Sequence, residues 1–459
     1  MKQNSDAIVD SVVAEDIGKL PDITAVESLA RITGVQVNYG EGGADGTRVR
    51  GLPDLTTTYN GREIFTAQGR AVALQDFPTS GVARIDVYKS ATANLVEPGI
   101  AGLIDVRSRR PLDFRGDRIA GAIGGAHWYQ SQRLGIEANV LVSKRWETGV
   151  GDMGLLVEGS YTDINFLDSL RINALNVISK NQPGLGTIYF PAFVNVKYPT
   201  ADRWRPAVNS SFQWKPNSDL EFYADFLFQG FRGRGNGKNF LVNSGVQANL
   251  SNVVLLPDSN LVQSMTAQAG GQTNGNRSVI TAKTDTYQAG SGLIYTSGPL
   301  RLSGDVAWTD STYTQKNINF NYQINRPIRD FTFDSDVGEG GGAVLIQDID
   351  LFDPSNYYIT ALRENGDRNH GRDLQGRLDA FYSLRRGLDQ TFRTSARRSR
   401  SIRQARRATL RCRMTMHVFA ARTAATLTWG RSTRRITTPR SIGILCEAAM
   451  RASRCSNAM

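Results

Sequence analysis

Apolar and polar positions follow two different rhythms along this chain. Up to about residue 112 they are mixed, and from 118 to about 384 they alternate. In the first region Val26, Leu29 and Ala30 make a short apolar face behind Thr24-x-x-Glu27. That spacing is a capping box, and Gly34 stands where such a helix stops. Segments 35–38 and 47–50 read as strands around a Gly-rich turn, 40–46. Asn60-Gly61 is a hairpin signal. Segments 84–90 and 99–108 read as alternating strands, joined by a small-residue helical turn over 91–98.

The second region alternates most cleanly over 220–229. Leu220, Phe222, Ala224, Phe226 and Phe228 point one way; Glu221, Tyr223, Asp225 and Gln229 point the other, with Leu227 the apolar exception. A strand of a soluble sandwich also alternates. An aromatic face opposite a charged one fits lipid outside and water inside. Its predicted partner is 208–214, across the turn 215–219. A second hairpin joins 287–296 to 300–309 through Ser297-Gly298-Pro299. Met153, Leu155, Val157 and Tyr161 alternate with Glu158, Ser160 and Thr162 in a third place. Trp and Tyr near strand ends fit the aromatic girdles of outer-membrane barrels. The long polar stretches 230–277 and 315–372 predict long loops at one end of the strands and short turns at the other.

Charge changes the picture at about residue 385. The tail 385–459 holds 18 Arg, no Lys and two acids, a net charge of +16, so residues 1–384 carry −5 of the chain's +11. All three cysteines, Cys412, Cys446 and Cys455, lie in that tail, so 1–384 can hold no disulfide. A basic nucleic-acid-binding arm and a separate cytosolic domain are two readings of it. Out-of-frame translation is the reading preferred, since charge, Lys usage, cysteines and periodicity all change at one point.

No catalytic constellation, metal site or cofactor motif is found. His127, His370 and His417 are isolated. The Gly-rich turn 40–46 lacks the spacing and Lys of a phosphate loop. The acids Asp10, Glu15 and Asp16, and those of the loop 334–342, read as solvated charge rather than cation sites.

The series Val49-Arg50-Gly51-Leu52, Asn60-Gly61-Arg62, 84–90 and 99–108 resembles the plug domain of TonB-dependent outer-membrane receptors. The opening segment 8–22 resembles one large subgroup, whose members take up carbohydrates or siderophores. The resemblance implies an α+β plug domain (1–112), then an incomplete antiparallel transmembrane β-barrel (118–384), then an Arg-rich non-native or disordered tail (385–459). It implies a non-enzymatic importer in the cell outer membrane. The partners implied are membrane lipid, the inner-membrane TonB complex and a carbohydrate or siderophore ligand, with no nucleic acid and no cofactor. No TonB box is found before Ile8 and no signal peptide opens the chain. The alternating region has room for about half the strands of a 22-stranded transporter. The chain is therefore expected to be truncated and not to transport. The alternative is a soluble β-rich surface binding protein with a basic nucleic-acid-binding tail. For ligand contact the expectation is the plug loops: Arg50, Asp54, Tyr59, Phe65, Gln68 and Arg70. Aromatic faces suit a sugar, and Arg suits an anionic siderophore.

Overall fold

The computed structural model describes residues 7–13, 25–40, 43–68, 72, 74, 77, 81–92, 95–174, 176–244, 249–268, 273–324, 329–333, 343–346, 349–383, 409–414 and 429–430. The first region folds around a five-stranded sheet in the order β1 (Val9–Val13), β6 (Val82–Tyr88), β7 (Gly102–Ser108), β4 (Leu55–Tyr59), β5 (Arg62–Glu63). Only the β4–β7 pair is parallel. The helix α1 (Ala25–Leu29) and the hairpin of β2 (Val35–Gly40) with β3 (Gly43–Val49) cover it. Val26, Leu29, Ile85, Val87, Ile104 and Val106 are its fully enclosed centre. Gly34 takes φ +76° just after the helix, as a C-terminal stop does. Thr24, the predicted cap, lies outside the described residues, as do Glu15 and Asp16. Asp10 does not stand as free charge: it accepts from Lys89 Nζ at 2.6 Å.

Of the predicted helical turn over 91–98, Ala93 and Asn94 lie outside the described residues; Leu95 N donates to Thr92 O. The hydroxyl of Thr56 donates to the Glu97 carbonyl, and Pro98 follows, so the chain is extended at Glu97.

A 3-10 turn, Pro111–Asp113, leads out of this domain into a 12-stranded sheet. Its main path is an antiparallel meander: β8 (Arg118–Trp128), β9 (Arg133–Thr148), β10 (Gly151–Leu167), β15 (Thr200–Lys215), β16 (Leu220–Asn243), β19 (Thr273–Ser297), β20 (Leu300–Ile324) and β23 (Tyr357–Ser383). The connections alternate as predicted. Residues 149–150, 216–219 and 298–299 make short turns at one end; at the other, 129–132 is short and 168–199, 244–272 and 325–356 are long. The two predicted hairpins join β15 to β16 and β19 to β20, and the third alternating segment lies in β10. The sheet does not close into a barrel among the described residues; β8 pairs on one side only.

Outward positions are apolar and exposed: Leu155, Val157 and Tyr161; Phe222 and Phe226; Tyr287 and Leu293; Val306 and Trp308. Inward positions are polar and covered: Asn209, Ser211 and Gln213; Asp225 and Gln229; Thr286 and Gln288; Thr309 and Ser311. The first domain covers them. Leu227, the exception in the pattern, faces inward at 1% exposure and joins that domain's core. No helix among the described residues is long and apolar enough to cross a membrane. The wall strands have the length and the apolar face to do so.

The strands run further than predicted. β16, β19, β20 and β23 are 24 to 27 residues long and take in most of the stretches 230–277 and 315–372. A bilayer needs only about 9–11 residues per strand. Beyond such a length these strands carry polar residues on both faces and lose the apolar alternation that marks a strand. The true excursions, 244–272 and 325–356, are shorter. With 168–199 they build a cap: the hairpin of β12 (Val177–Gln182) with β13 (Gly186–Pro191), and a sheet of β17 (Asn249–Leu255), β18 (Val262–Gln268), β21 (Arg329–Thr332) and β22 (Ala343–Ile346). Phe190, Val262, Met265 and Phe331 centre its own apolar core. The loop 334–342 lies outside the described residues. In the tail, Thr409–Met414 and Trp429–Gly430 pair with β23, and the remainder is outside the described residues.

Candidate functional site

Arg62 is the centre of the contact between domain and wall. Asn60 and Gly61, at φ 54° and 81°, make the tight turn that the Asn-Gly pair predicts. The turn sets Arg62 opposite Tyr59 at the start of β5. The Arg62 side chain, 3% exposed, grips Asp305 with both teeth of its fork: Nε to Oδ1 at 2.9 Å and Nη2 to Oδ2 at 2.8 Å. Its Nη1 donates to Asp225 Oδ2 at 3.0 Å. Arg110 Nη2 donates to the same oxygen at 3.1 Å, and Ser211 Oγ donates to Asp225 Oδ1. Tyr223 OH donates to Asp305 Oδ2 at 2.8 Å, and the Arg110 guanidinium lies 4.1 Å above the Tyr223 ring. One buried and one half-buried cation thus meet two anions. Burial alone would lower the Arg62 pKa, but the bond to Asp305 and the charges of Asp305 and Asp225 outweigh it and hold the guanidinium above its ordinary value. Gly290 of β19 leaves the room: a Cβ there would stand 2.4 Å from Arg62 Cζ.

From Arg62 the chain climbs the wall through main-chain groups. Glu63 N donates to Gln375 Oε1 at 2.9 Å, while Gln375 Nε2 and Gln288 Nε2 donate to Glu63 O. Ala67 N donates to Ser311 Oγ at 2.9 Å. Wall side chains therefore satisfy backbone that would otherwise be buried and unpaired.

Above this contact, toward the long loops, a cavity of about 360 Å³ opens among β15, β16 and β19. Arg203 and Phe231 border it on the inward register of β15 and β16, with Lys197 opposite Asn239; Arg234 and Lys238 alternate with the glycines on the exposed register, and none of the described lining residues is acidic. Gly233, Gly235 and Gly237 face Ala282, Ile280 and Ser278 across the strand pair, so small side chains keep it open.

The residues expected to touch ligand lie in three places. Arg50, at φ 55°, is exposed in the turn between Val49 and Leu52. Asp54 is exposed, but its carboxylate accepts Ile100 N and its carbonyl accepts Ala101 N. Tyr59 is 3% exposed, stacks on Phe77 and donates its hydroxyl to Asn209 Oδ1 at 2.8 Å. Burial, then the charges of Asp225 and Glu158, push its pKa above the usual phenol range. Phe65 is half-buried against Gly371, and Gln68 is exposed three residues on. The structure thus brings Phe65 and Gln68 onto one ascending segment and sets Arg50 and Asp54 at the far end of β4 from Tyr59. Arg70 lies outside the described residues.

Sequence reasoning did not single out Arg62, Arg110, Tyr223, Asp225 and Asp305 as a unit. Their signals were an Arg directly after Asn-Gly and acids on the inward face of alternating strands. His370 Nε2 sits 3.0 Å from Asp310 Oδ2 beside Arg372; His127 is exposed on β8; His417 is outside the described residues. Among the described residues no group of three His, Cys, Asp or Glu could hold a metal.

Residues 1–103 match the family model described as TonB-dependent Receptor Plug Domain. No curated protein matches the chain. Solved structures that resemble it include the unliganded ferric citrate transporter FecA, at 12% identity and TM-score 0.30, over 82% of this chain and 75% of that one. The siderophore receptor PirA from Acinetobacter baumannii matches at 9% identity and TM-score 0.31, over 84% and 71%. The open form of the ferric-catecholate import receptor Fiu from E. coli K12 matches at 11% identity and TM-score 0.35, over 93% and 66%.

Proposed function

We propose that this chain, a TonB-dependent receptor of the outer membrane by its plug domain, serves the import of a small anionic chelate of the siderophore class. The premise orients the molecule: short turns face the periplasm and long excursions face outside. The cavity among β15, β16 and β19 then lies on the outer side of the plug. The observation that carries the ligand class is its lining, Lys197 and Arg203 with the Phe231 ring and no described acid, with Arg234 and Lys238 on the adjoining exposed register. A neutral sugar gains little from a cationic lining. A multiply charged carboxylate or catecholate chelate gains more. Two of the predicted aromatic contacts also favour this reading, since Tyr59 is enclosed and Phe65 is half-buried against the wall rather than offered as a sugar platform. Gln68 stays a candidate contact at the top of the plug.

The test is equilibrium binding to the purified full chain in detergent. The probes are a ferric tricarboxylate chelate, a ferric catecholate chelate and a neutral oligosaccharide. The reading predicts saturable binding of at least one chelate, weakened about tenfold by Arg203→Gln, the loss of one charge-assisted contact. Saturable binding of the oligosaccharide, unchanged by Arg203→Gln, overturns it.

A further inference from the structure

The outward face of β19, β20 and β23 changes character within two residues. Trp308 and Leu374 stand opposite each other, both exposed. The next outward positions toward the long excursions are Asp310 and Arg372, and Tyr287, stacked on Phe228 at 5.0 Å, stands opposite Asp310 on β19. Outward beyond them come Asp285 and Lys283 on β19, Thr312 and Thr314 on β20, and His370 and Arg368 on β23. Apolar residues, then aromatic rings, then cations is the order in which a wall passes from lipid chains to head groups.

Cations outnumber acids in this sector. Asp285 is shared by Arg232 Nη2 at 2.6 Å and Lys283 Nζ at 2.8 Å. Arg232 and Lys283 stand directly opposite each other on β16 and β19, an arrangement that costs stability unless anions offset it. Asp310 accepts from Arg372 Nε at 2.7 Å and lies 3.0 Å from His370 Nε2. Arg372 nevertheless stays 67% exposed and Lys283 53%. Arg368 is exposed, and among the described residues no carboxylate pairs with it. Thr314 stands between Lys283 and Arg368, opposite both. The surplus ends at the sector's borders. Lys316, further on, is matched by Glu364 at 2.9 Å, and Arg234 stands opposite Asp202 of β15, which pairs with Arg133.

We infer that this sector docks the phosphate head groups of membrane lipids whose acyl chains lie on Tyr287, Trp308 and Leu374. Lys283, Arg368 and Arg372 supply the charge. A zwitterionic head group brings its own cation and gains less from them than an anionic phosphate does. With the long excursions facing outside, the sector lies at the outer leaflet. The inference rests on the outer face of the wall meeting lipid. It is independent of the cargo, because these side chains point away from the plug.

The experiment is native mass spectrometry of the full chain in detergent, titrated with phosphatidic acid or with phosphatidylcholine of the same chains. The dissociation constant of the first bound lipid is read. The expected result is tighter binding of phosphatidic acid, weakened about fivefold by Arg368→Gln, the worth of one basic residue at an anionic surface. Lys283→Gln weakens it likewise, Arg368→Lys restores it, and Arg133→Gln, outside the sector, leaves it unchanged. Equal binding of the two lipids overturns the inference. A preference for phosphatidic acid that survives both Arg368→Gln and Lys283→Gln, or that Arg133→Gln weakens as much, overturns the assignment to this sector. Displacement of phosphatidic acid by an equal concentration of glycerol 3-phosphate overturns a lipid as the occupant in favour of a soluble phosphate ester.

Discussion

Arg62 satisfies two carboxylates that the wall presents inward, and neither has another cation that could replace it in full. Removing the guanidinium leaves Asp225, 2% exposed, and Asp305 without their main partner. Breaking a buried pair from one side costs about 3–5 kcal/mol. Arg62→Leu should therefore loosen the plug by about that amount, read as a lower denaturant midpoint for the release of the plug from the wall. Arg62→Lys keeps the charge but not the fork, and should recover only part of the loss. Tyr59 gives a pH signature. Its folded pKa is raised, so above about pH 10 the unfolded chain releases a proton that the folded chain keeps, and stability falls as pH rises. Tyr59→Phe should flatten that alkaline fall in a pH series of thermal melts. The Asn60-Gly61 turn was legible in the sequence because its conformation is local. The partners of Arg62 were not, because they lie more than 160 positions away.

Each wall strand has two segments with different demands. Near the short turns, one face meets lipid and the other meets the plug, and the alternation of 220–229 exposes that segment to sequence reading. Nearer the cap, both faces meet water, and residues such as Gly233, Arg234, Asn236 and Lys238 carry no period-two signal. The strand continues there because both neighbours pair with it. The same substitution should thus behave differently in the two segments. Phe226→Arg, on the lipid face about midway through the apolar band, should cost about 2–4 kcal/mol of folding in lipid vesicles. Lys238→Glu, beyond the band, should change stability by less than about 0.5 kcal/mol. Parallel refolding titrations of the two variants measure the contrast. The cap was read as loops because its strands are short and its core, around Phe190, Met265 and Phe331, is assembled from three excursions distant in sequence.

Across the whole molecule, a plug domain lies against the inner face of a wall whose outer face is apolar. The order of domains and the polarity of the faces were legible from patterning alone. The charge cluster between them and the cavity among β15, β16 and β19 were not, since the one is built by both domains and the other by several wall strands at once. The central claim is that one face of the wall meets lipid while the other meets the plug. A nitroxide scan through β16 from Phe222 to Phe228, on the full chain reconstituted in lipid vesicles, tests it most directly. The claim predicts high oxygen accessibility at Phe222, Ala224, Phe226 and Phe228, with low accessibility to both oxygen and a water-soluble relaxation agent at Tyr223, Asp225 and Leu227. Absence of the two-residue period, or water-soluble agent reaching Asp225 and Leu227 as freely as an exposed loop, contradicts it.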